Sequence, residues 1–377
     1  MRIFVPAETE ATENRVALVP AAVAKLAKLG AEIEIEPGLG RKAQIADADY
    51  VAAGAKVSTG RLQALAAADT VLRVRPPQIA DVGYLRRGCL HISHLDPFRE
   101  TSLVRSLAEA GVSAVSMEMV PRSTVAQKMD ALSSQANLAG YVAVILAADR
   151  LDRIFPMMTT PSGTIAPAKV FVIGAGVAGL QAIATARRHG ATVEAFDTRP
   201  VVEEQVKSLG AKFVKVDLGE IGQTAQGYAR ELTPEQIARQ REAMARSCAQ
   251  ADVVITTAQL FGKKAPLIVT RAMLEAMKPG SVVVDLAVES GGNVEGSRVH
   301  EEVAVNGVRI LGHANLPGRV PRVASEMYAN NLVNFIAHFW DAEKKRFRLD
   351  PEAALLKDCL ITHDGSVVHE TIKSLLA

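Results

Sequence analysis

Three absences narrow what this 377-residue chain can be. Its cysteines, Cys89, Cys248 and Cys359, are odd in number and far apart, which offers neither a disulfide framework nor metal-ligand spacing. A reducing compartment fits that usage. Charge of one sign is also missing: 43 basic residues stand against 41 acidic ones, with no dense Lys/Arg run carrying interleaved aromatics. Neither nucleic acid nor an anionic membrane surface is advertised, and a small molecule is the better ligand class. Long apolar runs are absent too. The most apolar helical stretch, residues 138–148, falls short of the roughly 20 residues that cross a bilayer. The start, "MRIFVPAETE", lacks a signal peptide's apolar core. The expectation is a chain neither exported nor inserted in a membrane.

What is present is 49% hydrophobic residue, enough for two ordinary cores. Short apolar runs alternate with Ala/Leu-rich helical segments: "RIFV", a helix from Pro20 to a stop at Gly30, "AEIEIE", "DTVLRV", "GCLHIS", a helix near residues 99–110, and "VSAVSME". This βαβ rhythm predicts a first α/β domain with a mainly parallel sheet. A polar loop, "PRSTVAQKMDALSSQ", precedes the apolar helix, and a second α/β unit starts at "AKVFVIGAG". After its strands "SVVVDLA" and "VRILG" comes a helical pattern over about 321–340, long enough to fold back across the first domain. The predicted class is α/β: two Rossmann-like lobes with parallel sheets, the second inserted into the first, with a cleft between. The expected boundaries are 1–135 plus 312–377 for one lobe and 136–311 for the other.

Gly174, Gly176 and Gly179 form GxGxxG, weak alone among 27 glycines but strengthened by its context. The glycines follow a buried-type strand over 170–173 and open a helix over 178–188 that stops at Gly190. Gly174 would make the tight turn, Gly176 would let a pyrophosphate approach the backbone, and Gly179 would let helix and sheet pack closely. Free N–H groups at the helix start, from Val177 onward, would hold the negative charge. Asp197 lies about 20 residues downstream, at the end of the next strand, where a carboxylate takes hydrogen bonds from both adenosine ribose hydroxyls and repels a 2′-phosphate. That favours NAD over NADP, although Arg199, next but one after Asp197 and flanking Thr198, could receive a phosphate. Thr257 and Ala258, after the strand "DVVIT", fall at the sheet's carboxyl edge, where such sheets bind ligands.

The stretch "MVPRSTVAQKMDALSSQANLAGY", together with "GAGVAGLQAIATARRHGA" and "VVDLAVESGGN", resembles the NAD(H)-binding subunit of proton-translocating nicotinamide nucleotide transhydrogenases over nearly the whole chain. The resemblance implies that Arg122, Gln127 and Asp130, with Ser133 close behind, surround the nicotinamide. It further implies a mobile loop within 218–236, with Gly227 and Tyr228 at its working part. Implied as well are a homodimer, NADP(H) on a partner subunit, a membrane-spanning partner, and a cytoplasmic place on the inner membrane through those partners. Direct hydride transfer from NADH to NADP⁺ breaks no O–H bond and needs no general base, so orientation and water exclusion carry the catalysis.

These subunits also look like alanine dehydrogenase, in which an arginine, a lysine and a histidine handle the amino acid. Arg15 and His94 match two of those positions, but Arg75 stands where the lysine belongs. Arginine cannot carry a proton in the same way. His94 therefore reads as a remnant, His91 as a strand residue, and Cys89, His91 and His94 lack a fourth partner for a metal. An amino-acid dehydrogenase and a non-catalytic NAD sensor are the alternatives.

Overall fold

The computed structural model describes residues 1–216 and 233–376. The chain divides into two compact units, one of Met1–Gln135 with Gly318–Ala377, the other of Ala136–Pro317. In the first, six strands run parallel: β1 (Arg2–Val5), β2 (Glu32–Ile35), β3 (Lys56–Val57), β4 (Thr70–Leu72), β5 (Leu90–Ser93) and β6 (Ser113–Ser116). Their spatial order is β3-β2-β1-β4-β5-β6, and the antiparallel strands Leu360–His363 and Ser366–Val367 extend the sheet beyond β6. Strands β4, β5 and β6 are buried at every residue, as a parallel sheet covered on both faces requires. The helix Pro20–Lys28 begins with proline at its first turn and buries Ala22, Val23 and Leu26.

The second unit opens with an exposed hairpin, β7 (Met158–Thr160) and β8 (Gly163–Ile165). Its main sheet comprises β9 (Lys169–Ile173), β10 (Thr192–Phe196), β11 (Lys212–Phe213), β12 (Val253–Thr256), β13 (Val282–Asp285), β14 (Glu302–Val305) and β15 (Val308–Leu311). The order is β11-β10-β9-β12-β13-β15-β14, parallel except for the β14–β15 pair. Phe171, Ile173, Phe196, Met244, Val254 and Ile310 sit in one core cluster on this sheet. Both units thus place the strand-order reversal between their first and fourth main strands, β1/β4 in one and β9/β12 in the other, and ligands of open α/β sheets bind outside the carboxyl ends at such a point.

The apolar helix is longer than its hydropathy pattern suggests. It runs over Ala131–Arg150, 20 residues, and by length and composition it is able to cross a membrane. The length argument against a span therefore fails. Its first turn reads as loop because it is polar, yet it is helical because each polar group finds a partner. Asp130 accepts the Ser133 N–H at 2.8 Å and the Ser133 hydroxyl at 2.6 Å, an N-terminal cap. Ser134 donates to Asn331 at 2.8 Å, and Gln135 joins Arg15 at 2.9 Å. Further on, a Cβ at Gly140 would lie 2.1 Å from the Ala178 carbonyl oxygen, so this helix touches the backbone of the glycine-turn helix. These are contacts of a packed core helix.

Candidate functional site

The glycine turn is built at the carboxyl end of β9. Gly174 has φ +99, where a side chain is strained, and a Cβ on Gly179 would meet the Gly174 carbonyl oxygen at 1.8 Å. Gly176 is different: nothing lies within 4 Å of where its Cβ would be, so the backbone there has a clear face. The helix Val177–Arg188 follows, with no side-chain cap and no acidic residue in its first turn. Its N–H groups and dipole are available to an anion. A backbone cradle with an open face and an uncapped helix end fits the pyrophosphate of a dinucleotide.

Neighbouring strand ends fix this turn. The Thr257 hydroxyl donates to the Gly174 carbonyl at 3.1 Å, and the Thr257 N–H to the Ile173 carbonyl at 2.8 Å. Ala258 is clamped by Asn293, whose Oδ1 accepts the Ala258 N–H at 3.1 Å while Nδ2 donates to the Ala258 carbonyl at 2.9 Å. Asp285, fully buried, in turn accepts the Asn293 N–H at 3.1 Å and the Thr256 hydroxyl at 3.2 Å. Asp197 ends β10 and ties back to the turn through the Ala175 N–H at 2.7 Å. The Arg199 guanidinium grips the same carboxylate with Nε and Nη2, both at 2.9 Å, an arrangement that raises the arginine's already high pKa through that hydrogen bond.

The corresponding edge of the first unit is charged, and its ions are paired with one another. Glu8 follows β1 and Arg73 follows β4; they pair at 3.5 Å, and Glu8 also accepts the Val74 N–H at 2.6 Å. Arg73 reaches Asp81 at 2.9 Å, Asp81 accepts Arg61 at 2.7 Å, and Arg61 pairs with Glu36. Glu13 holds Arg15 through two bonds, at 2.8 and 2.7 Å, and Gln135 takes its remaining nitrogen at 2.9 Å. Arg75 pairs with Glu10 at 2.8 Å. Burial pushes Glu8 up in pKa despite Arg73, whereas for Glu13 and Asp81 the desolvation is outweighed by their arginine partners and both are lowered. A cavity of about 240 Å³ lies against Glu8, Glu13, Arg15 and Lys42, the last with its ammonium spent on the carbonyls of Glu10, Ala11 and Glu13. His94 stacks on Tyr328 at 5.2 Å and faces Glu118 at 3.5 Å. His91 on β5 is fully buried, bonds Ser93 at 3.0 Å, and burial drives its pKa down to about 3.

Comparison with known proteins decides the kinship. The family descriptions "Alanine dehydrogenase/PNT, N-terminal domain" and "Alanine dehydrogenase/PNT, C-terminal domain" match residues 4–139 and 143–370. The chain belongs to the alanine dehydrogenase/PNT family. Within this family it is 43% identical to an NAD(P) transhydrogenase alpha subunit chain of Rhodospirillum rubrum, over 99% of each chain. It is 32% identical to the alanine dehydrogenase of Mycobacterium tuberculosis, over 99% of this chain and 96% of that one. A transhydrogenase crystal structure from Sinorhizobium meliloti superposes with a TM-score of 0.89 at 45% identity, covering 98% of this chain and 100% of that one. The resemblance to both branches of the family stands, with the transhydrogenase branch the nearer of the two in these comparisons.

The residues singled out from the sequence fall in three groups. Gly174, Gly176, Val177, Gly179, Asp197, Thr198, Arg199, Thr257 and Ala258 converge at the carboxyl edge of the second unit's sheet. Arg122, Asp130 and Ser133 converge in the first unit, Arg122 standing 3.7 Å from the Asp130 carboxylate that caps the helix. Gln127 begins a short 3-10 turn, Gln127–Met129, on the same exposed segment. Gly227 and Tyr228 lie outside the described residues. Among the described residues no group of His, Cys, Asp and Glu could hold a metal ion. The reading of single residues missed the supports: Asn293, Asp285, and Asn331 and Asn334, which both donate to the Lys128 carbonyl. The one signal was the motif "VVDLAVESGGN" itself, whose Asp285, at the end of β13, and Asn293, in the loop that follows, are both fully buried polar residues.

Proposed function

We propose that this chain is the NAD(H)-binding subunit of a proton-translocating NAD(P)⁺ transhydrogenase, a homodimer active only with partner subunits. One partner spans the membrane and another carries NADP(H), and through them the chain sits on the cytoplasmic face of the inner membrane. Bound NAD(H) supplies the hydride, transferred reversibly and directly to NADP⁺ on the partner and coupled to proton movement. The chain's residues bind and orient. The Gly174–Gly179 turn and the helix from Val177 hold the pyrophosphate, Asp197 the adenosine ribose, and Thr257 and Ala258 the sheet edge of the site. Arg122 and Gln127 fix the nicotinamide end, with Asp130 and Ser133 keeping Arg122 in place.

The observation that carries this reading is the contrast in readiness between groups. The dinucleotide cradle has an open backbone face at Gly176, while Arg15, which an amino-acid dehydrogenase would need for its substrate, has three of its donor groups taken by Glu13 and Gln135. Arg75 in place of a lysine removes the proton carrier that oxidative deamination requires. Mixing the full chain with an NADP-binding transhydrogenase subunit, NADH and an NADP⁺ analogue should give reduced analogue. Absence of transfer, with NADH bound, returns the chain to a non-catalytic sensor. NADH formed from alanine and NAD⁺ by the chain alone would establish the dehydrogenase instead.

A further inference from the structure

The segment that carries Gln127 and Asp130 is held from one helix. Its short 3-10 turn, Gln127–Met129, follows the buried Ala126 and buries Met129, leaving Gln127 and Lys128 exposed. A single 3-10 turn has poor hydrogen-bond geometry and does little to fix its own position. The Lys128 carbonyl is caught instead by two side-chain amides, Asn331 Nδ2 at 3.0 Å and Asn334 Nδ2 at 3.2 Å. These asparagines lie three residues apart on the helix Pro321–His338, so they share a face. Asn331 does more. It is buried, and its Oδ1 accepts the Ser134 hydroxyl at 2.8 Å. One buried amide therefore grips the chain on both sides of Asp130, the residue that caps the helix Ala131–Arg150 and faces Arg122 at 3.7 Å.

On the reading that Gln127 and Asp130 serve the nicotinamide end of bound NAD(H), we propose that Asn331, supported by Asn334, is a positioning residue for hydride transfer. It acts through the turn. Orientation carries such a reaction, and a displacement of about 1 Å in the reacting geometry costs about 100-fold in rate. Affinity resides mainly in the pyrophosphate and adenosine contacts of the second unit, so loosening the turn lowers the rate far more than it lowers binding. The Nδ2 donor is the working atom: it holds the carbonyl next to Gln127, while Oδ1 keeps the first turn of the helix in register with it.

The test uses the full chain with an NADP-binding transhydrogenase subunit, measuring hydride transfer from NADH to an NADP⁺ analogue beside the Kd for NADH, for the wild type, Asn331→Ala, Asn331→Asp and Asn334→Ala. Asn331→Asp keeps the acceptor for Ser134 and sets a carboxylate against the Lys128 carbonyl. It and the alanine variant should slow transfer about 10- to 100-fold with the NADH Kd within about threefold, and Asn334→Ala should slow it about 2- to 5-fold. Because Asn331 acts through the turn that carries Gln127, adding Gln127→Asn to Asn331→Asp should slow transfer by less than the two single effects multiplied, the non-additivity of coupled neighbours. A lowered urea midpoint with transfer unchanged, a loss of rate matched by an equal loss of affinity, or full additivity with Gln127→Asn overturns the proposal. Should the Asn331 variants fail to fold, Asn334→Ala decides by the same split of rate from affinity. A wild type that binds NADH yet gives no transfer fails the functional reading first and takes the proposal with it.

Discussion

The two strand-order reversals of this chain share one topology and differ in everything that fills them. At β9/β12 the edge is glycine backbone, an uncapped helix end and a threonine, with the Asp197–Arg199 pair and the buried Asp285 carboxylate as charged groups among the described residues. At β1/β4 it is a chain of ions, Glu8–Arg73–Asp81–Arg61–Glu36, buried at its Arg73 end and half-buried at Arg61 and Glu36, beside the buried Glu13–Arg15 pair. Backbone donors with a clear face are matched to an anion, whereas at the other edge the side-chain ions satisfy one another beside a cavity of about 240 Å³. The same sheet order thus carries a glycine-backbone edge in one unit and an ion-paired edge in the other. Fold supplies the location; the residues after the strand ends decide which chemistry it presents.

The sharpest way to break this contrast is Gly179→Ala. Its methyl group would lie against backbone, 1.8 Å from the Gly174 oxygen, so the turn must deform. Dinucleotide affinity should fall by more than about 100-fold and stability by roughly 3 kcal/mol, measured by titration and urea unfolding. Arg73→Ala attacks the other edge. It strips a fully buried cation from Glu8 and Asp81, and should cost about 3–5 kcal/mol of stability while leaving nucleotide affinity within about twofold. A large loss of affinity there would dissolve the distinction between the two edges.

Acid should act on the first unit in a defined direction. His91 has its folded pKa lowered from 6.5 to about 3 by burial, so its neutral form is the one the fold accepts. That contribution is whole above pH 6.5 and is lost as pH falls toward 3, with a limiting slope of about 1.4 kcal/mol per pH unit. The lowered carboxyls Glu13 and Asp81 add losses of the same sign below pH 4.5 and 3.8, their ordinary values. Glu8, raised, has the opposite sign: its contribution is present below pH 4.5 and is lost as pH rises through its folded value. Urea midpoints between pH 7.5 and 5 should fall, and His91→Gln should flatten that part of the curve. The smallest effect is expected for Asn293→Ala, which releases Ala258 and the Pro266 carbonyl: about 1–2 kcal/mol of stability and a few-fold weaker nucleotide binding.

Much of this was legible in the residues. Strand β9, the glycine turn and the helix Val177–Arg188 follow from a short apolar run, three spaced glycines and an apolar period, all local signals. The helix over Pro321–His338 was equally plain from its pattern. The first turn of Ala131–Arg150 was not, because Ser133, Ser134 and Gln135 read as loop until Asp130, Asn331 and Arg15 supply their partners. The same holds for Arg15 itself, a candidate substrate ligand in the sequence and an ion locked by Glu13 in the structure.

The sequence alone determined what depends on neighbours within one or two turns: the apolar alternation of the strands, the backbone freedom at the glycine turn, and the placing of an acid after β10. Only the tertiary structure decided which polar groups are already spoken for. Glu8 and Arg73 are 65 positions apart, Ser134 and Asn331 nearly 200, yet each pair meets across strand or helix ends. A hydrogen bond or buried ion pair is set by distance in space, on which the order of residues along the chain places no local constraint.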